Sequence, residues 1–334
     1  MNNLKIITVI GAGAWGTALA NVLGLKGHTV KMWSIESDVN KEINTKHQNN
    51  KYFPKINVTL SKNITAYDDL KESLQDSDYI LIAVPSHIIS KVIGSVINLI
   101  NKKVIIINVA KGLINEHLPL EYFEKIINQI SGSDKIKGVV SLLGGTLAVD
   151  VVQKQPAIVT VTGKNYQLAT EIANFFNSTI LKAYPSHDYI GCEFLNLFKN
   201  ILAILTGFID GYGYGINSQA RIITEVLQKL KPIIKKFKGD PETIFMPSSL
   251  GDYIVTCLSN KSRNYSFGYQ LAKDNDVKIT LDKFKNITVE GYSNIFELKK
   301  ILVKKNLNIF FLDPLIELLQ EKINCEELLK KIFY

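Results

Sequence analysis

Short, continuously apolar runs alternate with segments of helical periodicity in the first half of the chain. The runs predict strands at 6–10, 29–33, 79–84, 104–109, 139–143 and 157–162, and residues 17–25 predict a helix that Gly27 ends. A run that is apolar throughout is typical of a strand buried on both faces. Strands interleaved with helices are typical of a parallel sheet, so we predict a doubly wound α/β domain.

The strand pattern fades in the second half, and helical spacing takes over. Residues 193–210, 218–236, 266–274 and 294–304 each favour a helix. The change occurs near His187, which follows the last strand-like stretch. We therefore predict two domains, with residues 1–187 forming the α/β domain and residues 188–334 forming an all-helical domain.

A GxGxxG motif, formed by Gly11, Gly13 and Gly16, directly follows the first predicted strand. The first glycine of such a motif permits a tight turn, the second admits a phosphate to the backbone, and the third allows close helix packing. A glycine-rich turn alone is weak support, but a preceding strand and a following helix are the context that the motif requires. We predict a Rossmann-type dinucleotide site here, with a purely structural turn as the alternative.

The choice between NAD and NADP stays open. An acidic residue at the end of the second strand would favour NAD, since it binds the ribose 2′-hydroxyl. Ser34 occupies that position, and Glu36 comes two residues later. Lys31 is the nearest candidate for binding the 2′-phosphate of NADP.

Residues 193–210 combine a strongly apolar helix with a narrow polar stripe. The stripe includes Glu193, Asn196, Lys199, Asn200 and Asp210 at helical spacing. So narrow a stripe predicts a helix that is buried nearly all round. A buried lysine needs a counter-ion or a lowered pKa, and either makes it a candidate acid/base. The alternative is that Lys199 extends to water at the edge of the helix.

Three further segments carry candidate chemistry. Asp252 supplies a carboxylate, and Arg263 supplies a guanidinium that suits a phosphate dianion. Lys111 follows an apolar strand, and ligands of open parallel sheets bind at the carboxyl ends of strands.

Composition narrows the possible partners and compartment. Lys and Arg number 39 against 31 for Asp and Glu, so the net charge is +8, but the lysines are scattered and do not favour nucleic-acid binding. Four glycines interrupt residues 1–25, so we predict no integral membrane segment. Three well-separated cysteines, Cys192, Cys257 and Cys325, favour a reducing cytosol and no metal site.

In this order the segments resemble the bacterial-type NAD(P)-dependent glycerol-3-phosphate dehydrogenase family. The resemblance is carried by residues 10–19, 84–87, 110–113, 199–204, 210–215, 251–252, 262–264, 267–268 and 289–292. It implies the reversible reduction of dihydroxyacetone phosphate to sn-glycerol 3-phosphate with NAD(H) or NADP(H), as a supply for phospholipid synthesis. It further implies a cytoplasmic homodimer that acts on a small-molecule substrate.

The resemblance also implies roles for individual residues. Lys199 would be the proton donor and acceptor, and Asp252 would orient it. The residues implied in binding substrate are Lys111, Gly144, Thr146, Lys199, Asp252, Ser262, Arg263 and Asn264. Those implied in binding cofactor are Gly11, Gly13, Ala14, Trp15, Gly16, Lys111, Ala148, Arg263, Thr288 and Glu290.

Two positions depart from the family pattern. Gly145 stands where the family usually has proline, and Glu225 stands where it commonly has arginine. Two alternative functions follow. One is a related two-domain hydroxyacid dehydrogenase, and the other is a sensor or scaffold that binds nucleotide without turnover.

Overall fold

The computed structural model describes residues 4–130, 133–285 and 287–334. The chain divides into two compact units, Met1–Tyr189 and Ile190–Tyr334, which we call unit 1 and unit 2.

Unit 1 is built on one eight-stranded sheet. Its strands are β1 (Ile6–Ile10), β2 (Thr29–Trp33), β3 (Ile64–Tyr67), β4 (Tyr79–Ile82), β5 (Val104–Asn108), β6 (Ile136–Leu143), β7 (Ala157–Thr162) and β8 (Leu181–Ser186). Their spatial order is β3-β2-β1-β4-β5-β6-β7-β8. Every neighbouring pair is parallel except β6 and β7, which are antiparallel.

Helices cover both faces of this sheet. They are α1 (Ala14–Leu25), α2 (Ser37–Lys46), α3 (Leu70–Leu74), α4 (Ser86–Leu99), α5 (Pro119–Ile127), α6 (Ala148–Val152) and α7 (Tyr166–Phe176), with a short 3₁₀ turn at Ser133–Lys135. Successive strand residues point to opposite faces. Thus Leu81 joins one buried apolar cluster and its neighbour Ile82 joins the other. Both faces of the sheet are therefore buried, as the continuously apolar strands predict.

Two edge strands were not predicted from the sequence. β3 is only four residues long, and its residues alternate between buried and exposed positions. β8 alternates similarly and includes Pro185, which lies inside the strand and not after it. An edge strand has one partner fewer and one solvated side, so it needs no continuous apolar run and can accept proline.

The predicted parallel, doubly wound sheet is confirmed, and one pair of strands, β6 and β7, departs from the parallel arrangement. Leu142 of β6 pairs with Val161 of β7 in antiparallel register. The buried positions of the two strands include the polar Ser141, Thr160 and Thr162 as well as apolar residues. Such a pattern of burial carries no information about strand direction. Because the pair is antiparallel, β7 begins at the end of the sheet where β6 stops, and the connection that contains α6 does not cross to the opposite end.

Unit 2 contains helices and no strand in its described residues. The helices are α8 (Tyr189–Gly211, which starts one residue before the unit boundary), α9 (Ile216–Lys236), α10 (Asp252–Cys257), α11 (Arg263–Asp274), α12 (Val277–Lys283), α13 (Glu290–Lys304), α14 (Leu312–Leu319) and α15 (Cys325–Phe333). Two helical turns, Pro241–Phe245 and Pro247–Gly251, precede α10.

Several helices begin earlier than their apolar periodicity predicts. α11 starts at Arg263 because the Ser262 hydroxyl accepts a hydrogen bond from the backbone N–H of Tyr265 and caps the helix. α1 likewise starts at Ala14, so Gly16 lies inside the helix and not in the preceding turn. First turns are often polar or small, so apolar spacing alone places helix starts too late.

α8 is a central core helix. By length and composition it could cross a membrane, since an 18-residue window has a mean hydropathy of 1.4, but that whole window is buried. No other helix in the described ranges meets the same test. Its side chains are buried from Gly191 to Ile209. The prediction of a helix buried nearly all round is confirmed.

Candidate active site

The three glycines of the GxGxxG motif have different surroundings in the loop between β1 and α1. Gly11 has a φ of +111°, and a Cβ there would lie 2.9 Å from the Ala83 carbonyl oxygen. A Cβ at Gly16 would lie 2.3 Å from the Gly11 carbonyl oxygen, so only glycine lets α1 pack this closely. A Cβ at Gly13 would meet no atom within 4 Å. The backbone at Gly13 is thus open to a ligand.

The amino terminus of α1 fits a diphosphate. Gly13 is its N-cap residue, and no side chain caps the helix. Two hydrogen bonds fix the turn that precedes the helix: Thr17 Oγ1 and Asn49 Nδ2 donate to the Ala12 carbonyl oxygen at 3.1 and 2.9 Å. The first N–H groups of a helix favour an anion. Gly13, Ala14, Trp15 and Gly16 therefore present backbone suited to the cofactor phosphates.

At the end of β2, the residues considered for ribose binding already have partners. The Glu36 carboxylate forms an ion pair with Lys51 and accepts a hydrogen bond from the Tyr52 hydroxyl at 2.7 Å. Burial and then this hydrogen bond raise the pKa of Tyr52. Lys31 Nζ donates to the Gln75 carbonyl oxygen at 2.8 Å. The structure thus brings Glu36 and Lys51 together and ties Lys31 to the turn after α3.

Four predicted site residues follow the carboxyl ends of β5 and β6. Lys111 is half-buried after β5, while Gly144 and Thr146 follow β6, and Ala148 begins α6. β5 and β6 are parallel neighbours, so these residues all lie at the carboxyl ends of the strands, on the same side of the sheet. The Thr146 hydroxyl is buried and has no hydrogen-bond partner in the described part of the chain. A buried hydroxyl without a partner is costly, so Thr146 fits a ligand contact.

In unit 2, α8 and α10 bring Lys199 and Asp252 together as an ion pair. Both side chains are only 1% exposed. Asn196 Nδ2 donates to the same carboxylate oxygen, Oδ2, at 2.9 Å, and Thr256 Oγ1 donates to Oδ1 at 2.9 Å. A buried charge pair is stable only when its remaining hydrogen-bonding groups are satisfied, and these two donors satisfy the carboxylate oxygens of Asp252 beside Lys199.

Two hydrogen bonds fasten α10 to α8. The Tyr253 hydroxyl donates to the Leu195 carbonyl oxygen at 2.8 Å, and Cys257 Sγ contacts the Lys199 carbonyl oxygen at 3.6 Å. Burial raises the pKa of the Cys257 thiol well above its ordinary value. This cysteine is therefore a neutral packing residue and not a nucleophile. The π-helical turn at Pro247–Gly251 ends immediately before Asp252.

A second polar network joins α8, α11 and α13. Asn200 Nδ2 donates to Glu290 Oε2 at 3.0 Å, and Asn264 Nδ2 donates to Asn200 Oδ1 at 3.1 Å. The backbone N–H of Gly291 completes the chain by donating to Asn264 Oδ1 at 2.9 Å. The network links Glu290, predicted to bind cofactor, to Asn264, predicted to bind substrate.

Glycines allow these helices to approach α8 at backbone contact. A Cβ at Gly268 of α11 would lie 1.8 Å from the Ile204 carbonyl oxygen. A Cβ at Gly291 of α13 would lie 2.5 Å from the Asn200 carbonyl oxygen. No side chain fits at either position. The short side chains of the network can meet only because the helix axes are this close.

The remaining predicted residues lie nearer solvent. Arg263 is exposed at the first residue of α11, between the cap Ser262 and buried Asn264. Thr288 is exposed just before α13. At one departure from the family pattern, Glu225 Oε1 accepts a hydrogen bond from Arg221 at 2.8 Å on the surface of α9. The reversed charge at Glu225 is thus locally neutralised.

Three residues of these networks were assigned no role from the sequence: Asn196 and Asn200, which were named only as members of the polar stripe, and Thr256. A usable signal existed for the first two, because they lie three residues before and one residue after Lys199 in the polar stripe. Thr256 follows Asp252 by four residues, which places both side chains on one face of α10. Their partners follow only from tertiary packing: Asn196 and Thr256 meet at Asp252 through the packing of α8 against α10, and Asn200 contacts residues of α11 and α13.

The chain matches one family over nearly all its length. Profiles described as the N-terminus and C-terminus of NAD-dependent glycerol-3-phosphate dehydrogenase match residues 6–169 and 188–330. A glycerol-3-phosphate dehydrogenase (NAD(P)+) of Malacoplasma penetrans is 34% identical over 97% of this chain and 95% of its own. A protein of the same name from Staphylococcus haemolyticus is 34% identical over 94% of this chain and 93% of its own length.

A solved structure agrees with these matches. The crystal structure of glycerol-3-phosphate dehydrogenase from Coxiella burnetii is 31% identical, covers 98% of both chains and superposes with a TM-score of 0.88. Together with the glycine loop and the Lys199–Asp252 pair, these similarities show that the chain belongs to the NAD-dependent glycerol-3-phosphate dehydrogenase family.

Proposed function

We propose that this protein catalyses the reversible reduction of dihydroxyacetone phosphate to sn-glycerol 3-phosphate with NADH or NADPH, and so supplies phospholipid synthesis. The observation that carries the proposal is the buried Lys199–Asp252 ion pair in a chain of this family. Reduction of a ketone creates an alkoxide, which must be protonated or neutralised as it forms. A buried ammonium can do both.

In the proposed mechanism, Lys199 donates its proton to the C2 oxygen of the ketone and recovers one in the reverse direction. Asp252 holds the ammonium in place, since it is the counter-ion of Lys199. The nicotinamide, when bound, supplies the hydride to C2. Lys111 adds positive potential where the oxyanion develops, and Gly144 and Thr146 contact the substrate.

The substrate phosphate is assigned to α11. Arg263 offers two parallel N–H donors on an exposed side chain, and such a fork matches a phosphate dianion. Asn264 and Ser262 adjoin it at the start of the same helix.

We assign residues 1–187 to the dinucleotide-binding domain and residues 188–334 to the substrate-binding domain. The backbone of Gly11, Gly13, Ala14, Trp15 and Gly16 would hold the diphosphate. The other proposed cofactor contacts are Lys111, Ala148, Arg263, Thr288 and Glu290. We further propose that the protein forms a homodimer, which sedimentation would test. We also propose that it is cytoplasmic, which cell fractionation would test.

The deciding experiment measures loss of reduced nicotinamide absorbance with dihydroxyacetone phosphate and with unphosphorylated dihydroxyacetone. We expect turnover with the phosphate ester and little without it. Lys199→Ala should lower kcat by roughly 10²- to 10⁴-fold, the usual contribution of general acid–base catalysis, with cofactor binding retained. Lys330→Ala is the matched control, because Lys330 pairs with Glu326 on the exposed face of α15.

Equal rates on the two ketones would reject the phosphate assignment and favour a related hydroxyacid dehydrogenase. Cofactor binding without turnover of the wild-type protein would favour a sensor or scaffold. Full activity of Lys199→Ala would refute the proton-transfer role.

A further inference from the structure

Asn196 presents a buried polar atom that the proposed mechanism does not use. It lies three residues before Lys199 on α8, so both side chains lie on the same face of the helix. Like Lys199, Asn196 is 1% exposed. Its neighbours along the chain are Leu195 and Leu197, both buried. A polar side chain at this depth needs hydrogen bonds to offset its desolvation.

One half of the Asn196 amide is accounted for. Nδ2 donates to Asp252 Oδ2 at 2.9 Å. An ionised carboxylate only accepts hydrogen bonds, so the donor end of the amide must face Asp252. This contact determines the orientation of the whole amide group. The carbonyl end, Oδ1, consequently points away from the carboxylate.

The other half has no partner. Asn196 Oδ1 is buried and receives no hydrogen bond from the described residues. An unpaired buried acceptor costs free energy, and native structures contain few of them. A ligand that brings a donor to this point would remove that cost. The unpaired oxygen therefore indicates a binding position beside the Lys199–Asp252 pair, since the same amide contacts the carboxylate oxygen that Lys199 contacts.

The chemistry of the proposed substrate supplies a donor at the right place in the molecule. The carbon that carries the C2 oxygen is bonded to a hydroxymethyl group, whose C1 hydroxyl needs an acceptor. Lys199 and Arg263 offer only donors. A carboxylate in place of the hydroxymethyl group would instead be repelled by the lone pairs of Oδ1.

We propose that Asn196 is a specificity-determining residue whose Oδ1 accepts a hydrogen bond from the C1 hydroxyl of dihydroxyacetone phosphate or sn-glycerol 3-phosphate. This inference rests on the proposed function. It makes the protein selective for a hydroxymethyl ketone over a methyl ketone, because the methyl analogue leaves Oδ1 unpaired. A site built to bind a substrate hydroxyl rejects the analogue that lacks it.

The test compares dihydroxyacetone phosphate with hydroxyacetone phosphate, which lacks only the C1 hydroxyl. For the wild-type protein we expect kcat/KM to be about 10- to 100-fold higher with dihydroxyacetone phosphate. In Asn196→Ala this preference should shrink to within about threefold. Asn196→Leu, which fills the site with an apolar side chain of similar branching, is the second variant if the alanine variant folds poorly.

Thr256→Val is the matched control. Thr256 also donates to Asp252, but to the other carboxylate oxygen, and the substitution leaves the Asn196 amide intact. It should lower kcat/KM for both ketones by the same factor and leave their ratio unchanged. A changed ratio in Thr256→Val would overturn the assignment to Asn196.

The outcomes separate the two proposals. A wild-type protein that fails to reduce dihydroxyacetone phosphate would refute the proposed function and the inference with it. A wild-type protein that reduces both ketones equally well would overturn only the role of Asn196. The same conclusion would follow if a folded Asn196→Ala or Asn196→Leu variant kept the full preference for dihydroxyacetone phosphate.

Discussion

Lys199 and Asp252 show how much depends on one pair of side chains. Each is 1% exposed, so each charge has lost nearly all its hydration and relies on the other. Removing one partner from a buried pair typically costs about 3–5 kcal/mol, because the remaining charge is left without compensation. The pair is thus a stability requirement for α8 and α10 as well as a candidate source of catalysis.

We expect Asp252→Ala to lower the free energy of unfolding by about 3–5 kcal/mol, measured by urea titration. The double variant Lys199→Met, Asp252→Leu should regain most of that loss, because apolar side chains of similar volume need no counter-ion. It should remain inactive. If the double variant were no more stable than Asp252→Ala, the loss would stem from packing and not from an uncompensated charge.

At the scale of the element, Gly13 and Gly16 have different roles in the loop between β1 and α1. Gly13 has an ordinary extended backbone, with φ −65° and ψ 175°, and open space around its Cα. Gly16 has the Gly11 carbonyl oxygen 2.3 Å from where a Cβ would lie. One glycine leaves room for a ligand, and the other leaves room for the protein itself.

The two glycines should therefore respond differently to alanine. Gly13→Ala should change the free energy of unfolding by less than about 0.5 kcal/mol. It should weaken NADH binding at least about tenfold, because the methyl group occupies the open space. Gly16→Ala should destabilise the fold by about 1–3 kcal/mol or more. The gain of about 1 kcal/mol in helix propensity is too small to offset the backbone clash.

Isothermal titration with NADH and thermal unfolding of the same samples would measure both effects. Unchanged NADH affinity in Gly13→Ala would contradict a phosphate contact at this backbone. A stable, fully cofactor-binding Gly16→Ala would contradict the close packing of α1 against the loop.

At the scale of the whole molecule, buried acids that stay protonated make stability depend on alkaline pH. Burial raises the pKa of Cys257 and Tyr253, and burial, followed by the charge of Glu171, raises the pKa of Tyr79 to about 12. In the unfolded chain these groups lose their protons at lower pH than in the folded protein. Between the two pKa values the folded state holds more protons, so rising pH favours unfolding.

We expect the free energy of unfolding to fall as pH rises above about 9, the ordinary pKa of the Cys257 thiol. Each group contributes up to about 1.4 kcal/mol per pH unit above its unfolded pKa. Cys257→Ala should flatten the first part of this decline in urea titrations at successive pH values. An identical slope in the variant would show that the thiol is not involved.

The sequence alone was sufficient where neighbours along the chain carry the information. The β1 strand, the glycine loop and α1 are contiguous, so their spacing was enough to predict a dinucleotide site. The stripe on α8 indicated a buried helix with Lys199 as its candidate acid/base. Apolar periodicity also separated the α/β half from the helical half near residue 187, because burial repeats with the period of each element.

Only the tertiary structure determined what these elements contact. Lys199 meets Asp252 across 53 residues of chain, and Asn200 meets Glu290 across 90. Such pairs depend on helix packing at backbone contact, as at Gly268 and Gly291, which no local pattern specifies. The direction of β7 and the unpaired oxygen of Asn196 are likewise features that no local pattern specifies. Local periodicity encodes which face is buried, whereas the partner on that face is chosen by the packing of the whole chain.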